Sequence, residues 1–184
     1  MPYSWIAIGV GAVLLIWIVA VFNSLVRKRN RVKNAWSDID VQLKRRYDLV
    51  PNLVETVKGY KGYEASVLEN VTKARTSAIN QGGGVAGRAQ AENMLSGALK
   101  SLFAVAENYP QLRASENFQK LQDQLSSLEN DIQSARRYYN AAARELNNAV
   151  QVFPASVIAG VFGFKQSEFF GTDERERSAV GVSF

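Results

Sequence analysis

From Trp5 to Val26 the chain reads WIAIGVGAVLLIWIVAVFNSLV without one charged side chain. As a helix these 22 residues would be about 33 Å long, enough to cross a hydrocarbon layer about 30 Å thick. The competing reading is a cleaved signal peptide. No basic residue precedes the run and no small-x-small site closes it, so a retained transmembrane anchor is expected. Trp5 suits one headgroup level, and Arg27, Lys28, Arg29, Arg31 and Lys33 crowd the other end. The positive-inside bias then predicts a single-pass protein, of a bacterial inner membrane, with its N-terminus outside and a folded domain in the cytoplasm.

The basic flank also accounts for most of the formal charge of +5. From Asn30 onward 19 basic residues face 17 acidic ones, too even a balance for a nucleic-acid surface. The chain has no cysteine and no histidine. That removes Cys/His zinc sites, Cys–His nucleophile pairs and the Glu-x-x-His pairs of a di-iron bundle, and neither a cofactor nor a metal is expected. The missing cysteines leave the redox compartment undecided.

Past the anchor, apolar residues recur at three-four spacing. Val32, Trp36, Ile39, Leu43, Val50, Leu53, Val57 and Tyr60 form one stripe, with Arg46 holding one slot. Pro51 lies inside it and predicts a kink or break. A shorter helix is expected from about Glu64 to Ile79, ended by Asn80, Gln81 and a flexible loop at Gly82, Gly83 and Gly84. Ala91, Leu95, Ala98, Leu102 and Val105 mark a third helix, closed by Asn108, Tyr109 and Pro110. The longest seam runs Phe118, Leu121, Leu125, Leu128, Ile132, Ala135, Tyr139, Ala142, Leu146, Val150, and Pro154 ends it.

No stretch alternates with period two as a half-buried strand does. The fold class is therefore all-α: a transmembrane helix followed by an elongated antiparallel up-down bundle of long helices. The expected divisions are residues 1–29 for the anchor and its flank, 30–170 for the helical domain and 171–184 for a disordered tail.

Two places carry candidate functional residues. RRYDLVPNLVETVKGY (Arg45 to Tyr60) and ARRYYN (Ala135 to Asn140) put Arg-Tyr clusters on two different helices, with Arg46 and Arg136 about 24 and 26 Å from the membrane end at the α-helical rise. Arg46, Asp48, Arg136 and Tyr139 are expected to form one partly buried polar layer, which either fixes helix register or recognises a ligand or partner. After Pro154 the stretch ASVIAGVFGFKQSEFF is too short to span a bilayer. Phe153, Val157, Ile158, Val161, Phe162 and Phe164 are its candidates for contact with the membrane or another subunit, the alternative being a cap on the bundle.

Other signals fail on chemistry. Gly82 and Gly87 have phosphate-loop spacing, but Arg88 and Ala89 replace the Lys and Ser/Thr such a loop needs. Asp40 with Lys44 and Glu116 with Lys120 read as solvated i, i+4 surface pairs.

The anchor, RRYDLVPNLVETVKGY, ENYPQLRASENFQKLQDQL, ARRYYNAAARELN and FPASVIAGVFGF together resemble the LemA family over nearly the whole chain. The resemblance implies an anchored, all-helical protein. It implies no activity, and through a relative in magnetosome membrane formation it points to membrane organisation. The reading from sequence is a non-enzymatic scaffold that self-associates at the lipid bilayer. Its alternative is an accessory or ligand-sensing subunit attached to a membrane protein partner such as a protease.

Overall fold

The computed structural model describes residues 2–60 and 64–171. The tail expected to be disordered falls, but for Gly171, outside the described residues. Among those described there are six helices and no strand: α1 (Pro2–Lys58), α2 (Ala65–Asn80), α3 (Val85–Ala106), α4 (Pro110–Arg113), α5 (Glu116–Gln151) and α6 (Ala155–Val161). The chain is all-helical, and four long helices carry the pattern read in the sequence.

The first helix differs from expectation in two ways. The anchor and the stripe that follows it are one continuous helix, because Arg27 to Asn34 contains neither Gly nor Pro to interrupt it. Pro51 does not break it either. A proline at 51 has no N–H for the carbonyl of Tyr47. Here Nε of Arg75, from α2, donates to that carbonyl at 2.7 Å. A cross-helix donor replaces the missing one.

Gly82 to Gly84 link α2 to α3, and Gly84 is left-handed at φ 27°, where a side chain would be strained. Gly87 lies inside α3 rather than in the loop. The one-turn helix α4 starts on Pro110, a residue suited to a first turn because its absent N–H would be unpaired there anyway. The 36-residue α5 ends just before a cis Phe153–Pro154 peptide, and α6 follows.

The chain forms two compact units, Met1–Asp38 with Arg137–Glu168, and Ile39–Arg136 with Phe169–Phe184. In the second unit α1 buries Ile39, Leu43, Val50, Leu53 and Val57, and α2 buries Leu68, Val71, Ala74 and Ala78. Helix α3 buries Leu95, Leu99, Leu102 and Ala106, one position on from Ala98 and Val105, which are only half-buried. Phe118, Leu125, Leu128 and Ile132 complete the core from α5.

In the first unit Val32, Ala35, Tyr139, Ala142, Ala143 and Leu146 are buried, and Trp36 meets the Tyr139 ring edge-on at 5.4 Å. Further toward the N-terminus, Leu25, Ile158 and Ala159 form a small core with Val21, Phe22, Ala149, Val150 and Phe164 packed around it. Before that, from Tyr3 to Val19, the large apolar side chains of α1 are exposed. Helix α1, which carries this apolar run near the N-terminus, is long and apolar enough to cross a membrane.

Candidate functional site

Arg46 takes an apolar slot of the α1 stripe, so the helix carries its guanidinium inward, where it is only 1% exposed. An unpaired buried cation is costly. Two carboxylates from other helices answer it. Nη2 donates to Glu92 of α3, itself fully buried, and Nη1 donates to Glu129 of α5 at 2.7 Å and to Ser96 at 2.9 Å. The Tyr47 hydroxyl donates to the other oxygen of Glu92. At the edge Arg88 bonds Asp40 at 3.0 Å and comes within 4.0 Å of Glu92. Asp40 thus reaches across to α3 instead of pairing with Lys44, because the guanidinium of Arg88 is presented to it from the facing helix. Glu116 and Lys120 do pair, at 3.7 Å.

Burial, then the hydrogen bond and charge of Glu92, push the Tyr47 hydroxyl well above the ordinary tyrosine range. Arg136 belongs to the same unit. Its Nη1 reaches Asn93 at 3.4 Å and its guanidinium lies 4.6 Å over the Phe170 ring. Burial, and next the charge of Arg46, hold it below the usual arginine value. Its Nε and Nη2 are buried without a hydrogen-bond partner, as is Nε of Arg46. Beside Arg46 lies a cavity of about 280 Å³, with Ser96, Leu99, Lys100, Phe103, Leu125 and Glu129 in its wall.

Of the four residues expected in one polar layer, Arg46 and Arg136 come close enough to feel each other's charge. Asp48 does not take part: it is exposed, because it falls two positions beyond Arg46 and so off the buried stripe. Tyr139 belongs to the other unit, where its hydroxyl donates to the carbonyl of Glu168 at 2.9 Å. Burial first, and Glu168 second, raise its pKa. Sequence reading missed Glu92 and Glu129, the true counter-charges. Glu92 was detectable in principle, since it stands in phase with Leu95, Leu99, Leu102 and Ala106.

The six candidates of the second segment, from Phe153 to Phe164, lie in the first unit. Ile158 is buried against Leu25, and Phe164 is half-buried, with the Arg29 guanidinium 5.1 Å from its ring. Phe22 meets Phe162 at 4.8 Å and Phe164 at 5.7 Å. Phe153, Val157, Val161 and Phe162 remain exposed. Asn147 secures the chain beyond α6, donating to the carbonyl of Ser167 at 2.9 Å and accepting from its N–H at 2.8 Å. Glu145 gathers two residues of the basic flank, Arg31 at 2.8 Å and Lys28 at 3.7 Å.

An apolar α1 long enough for a bilayer, long helices and a buried Arg–Glu cluster describe a membrane-associated helical protein. The LemA family model matches residues 35–184, and the chain belongs to the LemA family. Among curated relatives, Protein LemA of Metamycoplasma hominis is 26% identical over 161 residues, covering 88% of this chain and 74% of its own. A magnetosome protein MamQ of Paramagnetospirillum magneticum is 26% identical, and that of Magnetospirillum gryphiswaldense 25%, each over 174 residues. Those two alignments cover 81% of this chain but only 64% of the magnetosome proteins, less than two thirds of their length.

Proposed function

We propose that this protein is a non-catalytic scaffold that self-associates at a bacterial membrane and organises it, with the helical domain on the cytoplasmic side. The observation that carries this reading is where the molecule leaves large apolar side chains uncovered. Among the described residues, nearly all of them lie on α1 between Tyr3 and Val19 or between Val152 and Phe169. Interiors and functional contacts are where such surface is normally covered, and here the surface sits at the membrane end. Ala7 and Gly11, four apart, put a small-xxx-small step on the exposed part of α1, and a Cβ added at Gly11 would meet nothing of this chain. The likeness to magnetosome proteins agrees with a role in membrane organisation. Light scattering of the full chain in mild detergent tests the reading: a defined oligomer is expected, and a monomer at all concentrations would overturn it.

The cavity beside Arg46 favours a second reading, an accessory or sensing subunit of a membrane enzyme. Its wall joins Leu99, Phe103 and Leu125 to the cation of Lys100, a combination suited to a small amphiphilic acid. On that reading Leu99→Trp, which fills the cavity, abolishes partner regulation while the oligomer persists.

A further inference from the structure

Helix α6 docks on the anchor at one particular depth. Its buried face, Ile158 and Ala159, packs on Leu25, with Val21 and Phe22 beside it. On α1 these residues lie within about 9 Å of Arg27 by the helical rise. They form the last turns of the uncharged run, where hydrocarbon gives way to headgroups. The opposite side of the segment points away from the small core: Phe153 is 78% exposed, Val161 76%, Val157 58% and Phe162 54%. No charged residue occurs from Leu146 to Phe164. Exposed Arg27 and Arg29 on α1 and exposed Lys165 just beyond the segment border it.

We infer that residues 152–164 are a second membrane contact, lying in the plane of the bilayer and inserted among the acyl chains of the leaflet at the basic end of the anchor. The occupant of the exposed face is lipid, for two reasons. The face continues the lipid-exposed surface of α1 at a depth that the docking itself fixes. Its border is cationic, which attracts anionic headgroups and repels the same border on a second copy of the chain. The segment crosses nothing, so it adds volume to one leaflet only, as interfacial helices do. The inference rests on α1 crossing the bilayer, and not on self-association.

The chain has no cysteine, so single reporters can be placed in the full protein. Val161→Cys, Val13→Cys in the anchor and Gln124→Cys on exposed α5 are each labelled with an environment-sensitive fluorophore. The proteins are reconstituted into vesicles of phosphatidylcholine and phosphatidylglycerol carrying nitroxide lipids. At Val161 a nitroxide near the headgroup end of the acyl chain should quench several-fold more than one near the methyl end. At Val13 the order should reverse, and Gln124 should respond to neither. Quenching at Val13 but not at Val161 overturns the inference. A Val161 reporter shielded from water but untouched by either nitroxide also overturns it, and identifies a second copy as the cover. No quenching at Val13 removes the transmembrane reading on which the inference stands, whereas a monomer in detergent leaves it intact.

Discussion

Arg75 donates from Nε to the main-chain carbonyl of Tyr47, the acceptor that Pro51 leaves without its own helical donor. Arg75→Ala therefore exposes a vacancy in a different helix from the one mutated. It should cost about 1–3 kcal/mol, the range for a polar group left unpaired. In a Pro51→Ala background, where the backbone N–H is restored, the same change should cost much less. Urea unfolding of all four proteins in detergent, followed by circular dichroism, gives the coupling; equal costs in both backgrounds would show that Arg75 does not serve Pro51.

Removing one side of the buried cluster strands the other. Arg46→Met leaves the fully buried Glu92 without its main cation and should destabilise by about 3–5 kcal/mol. Glu92→Leu should do less, because Glu129 still holds Arg46. Combined, the two changes should recover much of the loss, measured by the same unfolding assay. Simple additivity would contradict a coupled pair.

Alkaline titration reads Tyr47 and Tyr139 together. Both are raised above the ordinary tyrosine pKa of about 10. Above that pH the unfolded chain gives up protons that the folded chain keeps, so it binds fewer and stability must fall. Stability from this source should be intact below about pH 10 and decline beyond it. Glu92, Arg46 and Arg88 all act on Tyr47, and Tyr47→Phe should flatten the decline. Thermal unfolding across that range is the measurement.

Asn147 makes both of its hydrogen bonds to the backbone of Ser167. Asn147→Ala should raise amide exchange at Ser167 and cost about 1–2 kcal/mol. Asn147→Asp keeps the acceptor for the Ser167 N–H and should protect that amide better than Ala does. Exchange mass spectrometry distinguishes the two.

The helices were legible because their apolar residues keep one period for long distances. Apart from the half-buried Trp36, the stripe from Val32 to Val57 is buried as read, Arg46 included, and Phe118, Leu125, Leu128, Ile132, Tyr139, Ala142 and Leu146 are buried as well. Partners across helices were not legible. Nothing local connects Arg46 with Glu92, or Arg75 with the carbonyl freed at Pro51, since each pairing depends on how helices distant in sequence face each other. The α3 stripe was read through Ala98 and Val105 because alanines near leucines satisfy two phases almost equally well. Asp48 was misplaced for the opposite reason: proximity to Arg46 in sequence turned it to another face of the helix.

The docking of Ile158 on Leu25 also bears on how the protein is made. Leu25 leaves the ribosome early, and its partner more than a hundred residues later. Closing so long a loop is an entropic burden for a free chain. If residues 152–164 lie in the bilayer as proposed, then once the anchor is inserted the segment searches for Leu25 along a surface instead of through a volume. On that proposal the membrane would serve as a folding template as well as a place of residence, and synthesis without it should yield chains whose first unit stays open.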